Sequence, residues 1–243
     1  MKKFEQDYIV PFFDCDKFRR MTITSMINNM ILASTHQLET MGYGEKWMIE
    51  KNQGWVVTQY DLLINRPPVE EESVIIATWI ENYNKFFSYR NYSIESQDHE
   101  RLVTLKSVWV AFDLKARKLT SLSEEMMDDL GAKKNIVMKT PRIAVDQDKL
   151  FNPQKYYIRY ADIDTNNHIT NTSYITWMLE SLGIDFLEKH QLKELQIRYE
   201  KEIQERDFIE VSYYQDQSSE NLKFYHQVSR PDKIAGQAMT IWE

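Results

Sequence analysis

Two stretches of the chain repeat their apolar residues at helical spacing, and most of the remainder alternates as strand does. In the first stretch Ile23, Met26, Ile27, Met30 and Ile31 fall at i, i+3, i+4, i+7 and i+8, ending near Gly42. In the second, Tyr174, Ile175, Met178, Leu179 and Leu182 recur with the same helical period, with Phe186 and Leu187 beyond Gly183. Each pattern predicts a helix with one apolar stripe, which must lie against another layer. Residues 55–65 are rich in β-branched and aromatic side chains and are stopped by Arg66, Pro67 and Pro68, as a strand would be. Strand patterns follow at 74–79, 86–94 and 102–112, separated by short polar turns such as 96–100. After the second helix they return at 195–203, 208–214, 222–229 and 234–242. The predicted order is strand, helix, then a run of antiparallel strands, and it occurs twice.

The repeat survives a residue-by-residue check. A shift of 148 positions lays Asp14 on Asp162, Asp16 on Asp164, Thr22 on Thr170, Thr24 on Thr172, Ser25 on Ser173 and Ile27 on Ile175. Those six identities fall within 15 positions, where average residue usage gives about one. A helix wrapped by a curved antiparallel sheet is the hot-dog arrangement, in which each layer buries the other's apolar face. The pattern therefore predicts an α+β double hot dog, with an N-terminal unit at 1–130, a linker at 131–150 and a C-terminal unit at 151–243. The polar connection spans roughly 115–148, with a short helix expected at 123–130 and basic positions at Lys133, Lys134, Lys139 and Arg142.

Composition narrows the possibilities. Hydrophobic residues at 42% and charged residues at 28% are ordinary for a soluble globular chain, and 6 Gly with 6 Pro leave little room for low-complexity tracts. Aromatics at 13% suit antiparallel sheets, where flat side chains pair across strands. A net charge of −7 without a basic block disfavours nucleic-acid binding, which needs a positive field. The single cysteine, Cys15, excludes an intrachain disulfide framework and any multi-cysteine metal site. The first residues carry no apolar signal-peptide core, and no stretch approaches the roughly 18 apolar residues of a membrane span. A cytoplasmic address is expected.

The copies diverge where a site would lie. After Asp164 come Thr165, Asn166, Asn167 and His168; after Asp16 come Lys17, Phe18, Arg19 and Arg20. Two plain turns would both be served by polar, turn-favouring residues, so the difference favours chemistry in the second copy. Three readings compete for 162–171. An Asx-rich turn capping the second helix is one. A calcium loop fails, because its sixth position is Asn167 rather than Gly and its twelfth is Ser173 rather than Glu. A hydrolytic site at a helix N-terminus, where backbone N–H groups polarise a carbonyl, is the third.

In these residues the chain resembles the acyl-ACP thioesterases, the group of plant fatty-acyl thioesterases and their bacterial relatives. The family pattern Asp-x-Asp-x-Asn-x-His stands here as Asp162, Asp164, Asn166 and His168, with Asn171 and Tyr174 following. Ile175, Trp177, Glu180 and Ser181 look like the family's helix, and Trp55 to Thr58 and Ser107 to Val110 like its N-terminal strands. The resemblance implies hydrolysis of a fatty acyl thioester on acyl carrier protein (ACP), in fatty acid biosynthesis, with the site in the C-terminal unit; no cofactor or metal is expected. Plant members carry Glu-Cys after this helix; here Glu202 matches the Glu and Ile203 stands at the Cys. A covalent acyl-cysteine is therefore not expected, and Cys15 maps to the diverged copy.

The expected mechanism has His168 with a carboxylate, Asp164 or Glu202, deprotonating water, and Asn166 positioning the water or thioester. Backbone near Asn171 would stabilise the oxyanion. Asp162 only caps or braces the loop, and His36, His99, His190 and His226 are expected to be satisfied turn histidines. Met26, Met30, Trp55 and Val57 are candidates to line an acyl slot, although a methionine stripe at helical spacing is more often plain core. An acyl-CoA thioesterase, a non-catalytic acyl-binding protein and a dehydratase remain alternatives on this fold. No Gly-x-Ser-x-Gly or His-Glu-x-x-His element is present. The expected partner is ACP with its acyl chain, and the expected assembly is a pseudo-dimeric monomer or a homodimer.

Overall fold

The computed structural model describes residues 2–134, 142–203 and 207–243. The chain forms two compact units, Met1–Thr140 and Pro141–Glu243. In unit 1 the elements are β1 (Phe4–Ile9), α1 (Ile23–Thr40), α2 (Glu45–Glu50), β2 (Gln53–Ile64), β3 (Ser73–Tyr83), β4 (Phe87–Ser96) and β5 (Arg101–Asp113). They are followed by β6 (Lys118–Thr120), α3 (Glu124–Asp129) and β7 (Lys133–Lys134). Unit 2 contains β8 (Phe151–Tyr157), α4 (Asn171–Glu180), α5 (Ile184–Lys189), β9 (Leu192–Tyr199), β10 (Phe208–Gln215), β11 (Leu222–Arg230) and β12 (Lys233–Trp242). No described helix is long and apolar enough to cross a membrane.

Within unit 1 the antiparallel order is β1-β3-β4-β5-β2, and α1 lies on β1, β3 and β4. Strand alternation sends every second side chain toward the helix, and antiparallel register stacks these side chains in rows. Ile76, Ile94, Val103 and Ile64 make one row; Thr78, Tyr92, Leu105 and Leu62 make the next, and all eight are buried. Met26, Met30 and Ala33 of α1 are fully buried as well. This is a hot dog. Unit 2 repeats the order as β8-β10-β11-β12-β9, with α4 on β10 and β11.

The second helix is shorter than its periodicity predicts. It stops at Glu180, and Gly183 at φ +88° turns the chain into α5, so Phe186 lies on a separate helix and packs on Phe224 and Trp242. Left-handed backbone of this kind favours glycine, which has no Cβ to clash. The last strand before the site segment also ends early, at Tyr199 rather than 203.

The connection is shorter on both sides than the expected 131–150. Helix α3, capped by the Ser123 side chain, buries Met126, Met127 and Leu130 with Tyr43, Ile80 and Tyr83, so it belongs to unit 1. Lys133 and Lys134 pair with β3. On the other side, Asp146 and Gln147 bond to Tyr214 and Gln227 of unit 2. Lys139 lies outside the described residues.

The repeat extends beyond the stretch where residue identity displays it. Trp109 Nε1 donates to Ser107 Oγ at 2.7 Å in β5, and Trp242 Nε1 donates to Thr240 Oγ1 at 2.9 Å in β12. Of the four other histidines, only His99 lies in a turn. His36 is in α1 against Gln6, His190 ends α5, and His226 is fully buried in β11 against Thr240. Burial without a countercharge pushes the His226 pKa down to about 3, so it stays neutral.

Candidate active site

The two Asp-x-Asp turns share the same backbone hydrogen bonds. In unit 2, Asp164 N–H donates to His168 O at 2.8 Å, Asn167 N–H to Asp164 O at 2.9 Å, and Thr170 N–H to Asp162 O at 2.8 Å. In unit 1, Asp16 N–H donates to Arg20 O at 2.8 Å, Arg19 N–H to Asp16 O at 2.9 Å, and Thr22 N–H to Asp14 O at 2.9 Å. Asn167 and Arg19 both take positive φ, at +66° and +63°. Thr170 and Thr22 each cap the following helix by accepting from the residue three on.

The aspartates belong to this shared scaffold. One Asp164 oxygen accepts the N–H groups of Asn166 and His168, both at 2.9 Å, and Asp16 does the same for Phe18 and Arg20 at 2.9 and 3.0 Å. Asp162 is 2% exposed and accepts from Arg159 N, Nε and Nη2 at 2.8, 3.1 and 2.9 Å and from Ser173 Oγ at 3.1 Å. Burial alone would raise the Asp162 pKa; the bonds from Arg159 and Ser173 outweigh it and hold the carboxyl below its ordinary value.

What differs between copies is what the scaffold presents. His168 Nε2 lies 2.8 Å from Glu202 Oε1, with side chains 50% and 35% exposed. Glu202 follows the end of β9, where Glu200 and Lys201 donate backbone N–H groups to Ala235 O. Ile203 is 2% exposed and anchors the segment by burial, which gives the residue at the cysteine position an apolar task. Asn166 is exposed on the turn beside His168. Asn171 is the first residue of α4, and its carbonyl accepts from Tyr199 OH at 2.9 Å. Met26, Met30 and Val57 are buried in unit 1, and Trp55 packs on its α3 cluster with its indole N–H buried and unpartnered.

Arg159 and Tyr199 were not picked out from sequence, and Tyr174 was named only as a residue of the family pattern, without a role. Arg159 braces Asp162, and its only signal was Arg-x-x-Asp ahead of the motif. Tyr199 and Tyr174 stack edge to face with ring centroids 5.4 Å apart. The Tyr174 hydroxyl is buried against the Ile203 N–H, and burial together with the Glu202 charge raises its pKa.

The chain's sequence matches two family models, the acyl-ACP thioesterase N-terminal domain over residues 1–130 and the C-terminal domain over 145–243. A chloroplastic palmitoyl-ACP thioesterase of Arabidopsis thaliana is 26% identical over 215 residues, which are 82% of this chain and 52% of that protein. The chain thus spans about half the length of the curated relatives it matches. A Lactobacillus plantarum protein assigned as an oleoyl thioesterase superposes with a TM-score of 0.90 at 26% identity, covering 100% of this chain and 96% of that one. The 12:0-ACP thioesterase of Umbellularia californica shares the fold, with a TM-score of 0.84 at 19% identity over 99% and 97% of the two chains. With matched models on both hot-dog units, this chain belongs to the acyl-ACP thioesterase family.

Proposed function

We propose that the protein hydrolyses the thioester of a fatty acyl group carried on ACP, releasing the free fatty acid and the carrier thiol. The observation that carries this reading is the His168–Glu202 pair, 2.8 Å apart, with His168 on the turn and Glu202 after β9, where unit 1 has Arg20 and Pro67. With Nε2–H donated to Glu202, the imidazole keeps its Nδ1 lone pair for water. Water attacks the thioester carbonyl as Nδ1 takes its proton, and Glu202 stabilises the imidazolium that forms. Backbone N–H groups at the start of α4, near Asn171, face the developing oxyanion, and Asn166 orients the water or the thioester. Collapse breaks the C–S bond, and the thiolate takes the proton back.

In this reading Asp164 is a positioning residue: its carboxylate is committed to the turn, which leaves Glu202 as the partner of His168. The N-terminal unit supplies the acyl slot, lined by Met26, Met30, Trp55 and Val57. The test incubates the protein with a panel of acyl-ACPs and measures fatty acid released, beside matched acyl-CoAs. Faster release from ACP, abolished in His168→Ala with circular dichroism unchanged, supports the proposal. Preference for CoA, or a wild-type rate in His168→Ala, defeats it.

A further inference from the structure

The duplication provides an internal comparison for the residues that hold the site. By strand register, Tyr199 of β9 corresponds to Ile64 of β2 and Gly236 of β12 to Val103 of β5; by helix alignment, Tyr174 corresponds to Met26. Unit 1 thus places three aliphatic side chains, Met26, Ile64 and Val103, where unit 2 has two tyrosines and a glycine. The exchange is spatially coherent. A Cβ on Gly236 would already be in van der Waals contact, 3.4 Å from Tyr174 Cδ1 and 3.4 Å from the Arg198 carbonyl, so a branched side chain like that of Val103 would press on the ring. Beyond Ile64, unit 1 continues into Pro67 and Pro68, where unit 2 has Glu202 and Ile203.

Apolar burial alone gives no reason to replace well-packed aliphatics with tyrosines whose hydroxyls then need partners. Those hydroxyls find partners at the two ends of the candidate site. Tyr174 OH meets the Ile203 N–H, next to Glu202, and Tyr199 OH donates to the Asn171 carbonyl in the first turn of α4. The rings brace each other at 5.4 Å. We infer that Tyr174 and Tyr199 form a positioning brace, in which Tyr174 holds Glu202 in register with His168 and Tyr199 fixes the helix start. The inference rests on the proposed use of His168 and Glu202, and it assigns neither tyrosine contact with substrate.

Among the described residues, the charged groups on the two segments that meet here are Glu202 on the His168 ring, Asp164 on its backbone N–H, Asp162 in the same turn, and Arg198, Glu200 and Lys201 ahead of Glu202 in the chain. Of these, Glu202 directly adjoins Ile203, whose N–H the Tyr174 hydroxyl meets. Tyr174→Phe keeps the ring over Gly236 and deletes that hydroxyl. Expected results are unchanged circular dichroism, kcat on acyl-ACP reduced about tenfold with KM within about twofold, and, in a crystal structure of the variant, Glu202 Oε1 displaced from the 2.8 Å contact it makes with His168 Nε2. In a Glu202→Gln background, Tyr174→Phe should lower kcat no further. Tyr199→Phe should lower kcat and leave the His168–Glu202 contact in place. An undisplaced Glu202 in the Tyr174→Phe crystal structure, or an equal loss of kcat in the Glu202→Gln background, overturns the brace. The crystal structure needs no substrate, so it judges the brace even if no acyl-ACP is hydrolysed, which would defeat the proposed function instead.

Discussion

Asp162→Asn isolates what the buried carboxylate contributes, and Asp14→Asn in the twin turn is its control. Asp162 accepts four hydrogen bonds, three from the one Arg159 guanidinium and backbone and one from Ser173. Asn keeps one acceptor oxygen but turns an NH2 group toward donors. Breaking a buried charge pair costs about 3–5 kcal/mol, and because Arg159 is 67% exposed and can swing into water, about 2–3 kcal/mol is expected here. For a unit of this size that is a fall in Tm of roughly 10–20 °C. The depressed Asp162 pKa adds a signed pH dependence. Its stabilisation is complete above the unfolded value of about 3.9 and is lost as pH falls through the lower folded value, because the unfolded chain then binds the extra proton. Urea unfolding from pH 7 to pH 3 should therefore show a shallower acid slope in Asp162→Asn than in wild type. Asp14 is held by the neutral groups Tyr8 OH, Ser25 Oγ and Asn29 Nδ2, so Asp14→Asn should cost less. Equal midpoints for wild type and Asp162→Asn at pH 7, or parallel acid slopes, would refute the reasoning.

Other perturbations address the chemistry and the packing. Glu202→Gln removes a charge that, at 2.8 Å from the imidazole, is worth about 1.5 kcal/mol even at the dielectric of water, so steady-state kcat should fall at least about tenfold; an unaltered kcat would exclude Glu202 as the partner. Gly236→Val installs the unit 1 residue beneath Tyr174 and should cost about 1–3 kcal/mol by overpacking, read as a lower Tm; an unchanged Tm would mean the ring has slack. Met30→Phe fills space in the unit 1 core and should shift the preferred acyl length toward shorter chains in a competition assay. If it lowers Tm without changing the product profile, Met30 is core only.

The duplication separates scaffold from chemistry without reference to other proteins. Unit 1 keeps both aspartates, Asp14 and Asp16, where no His or Asn follows, so retention of Asp162 and Asp164 says little about catalysis. Asn166, His168, Tyr174, Tyr199, Glu202 and Gly236 differ together, in one copy, around one turn.

Local pattern determined the elements and their order. Helical spacing at Ile23–Ile31 and strand alternation around Trp55 and Val103 are short-range consequences of backbone geometry, and the 148-residue shift exposed the duplication because turn and cap residues are tied to local conformation. The same locality explains why the turn, its threonine cap and the candidacy of His168 were legible. What the tertiary structure decided depends on contacts that sequence distance hides. His168 and Glu202 are 34 residues apart, and only the folding of β9 back alongside α4 sets them 2.8 Å from each other. Periodicity ran the second helix on through Leu182, whereas Gly183 turns the chain so that Phe186 can fill the space over Phe224 and Trp242. The glycine under Tyr174 has no signal in its own neighbourhood, since its meaning lies in a ring 62 positions earlier that packing brings to 3.4 Å from where a Cβ on Gly236 would stand. Asp164, equal to Glu202 as a candidate on paper, is drawn to the turn because two backbone N–H groups close by in the chain claim its oxygen at 2.9 Å.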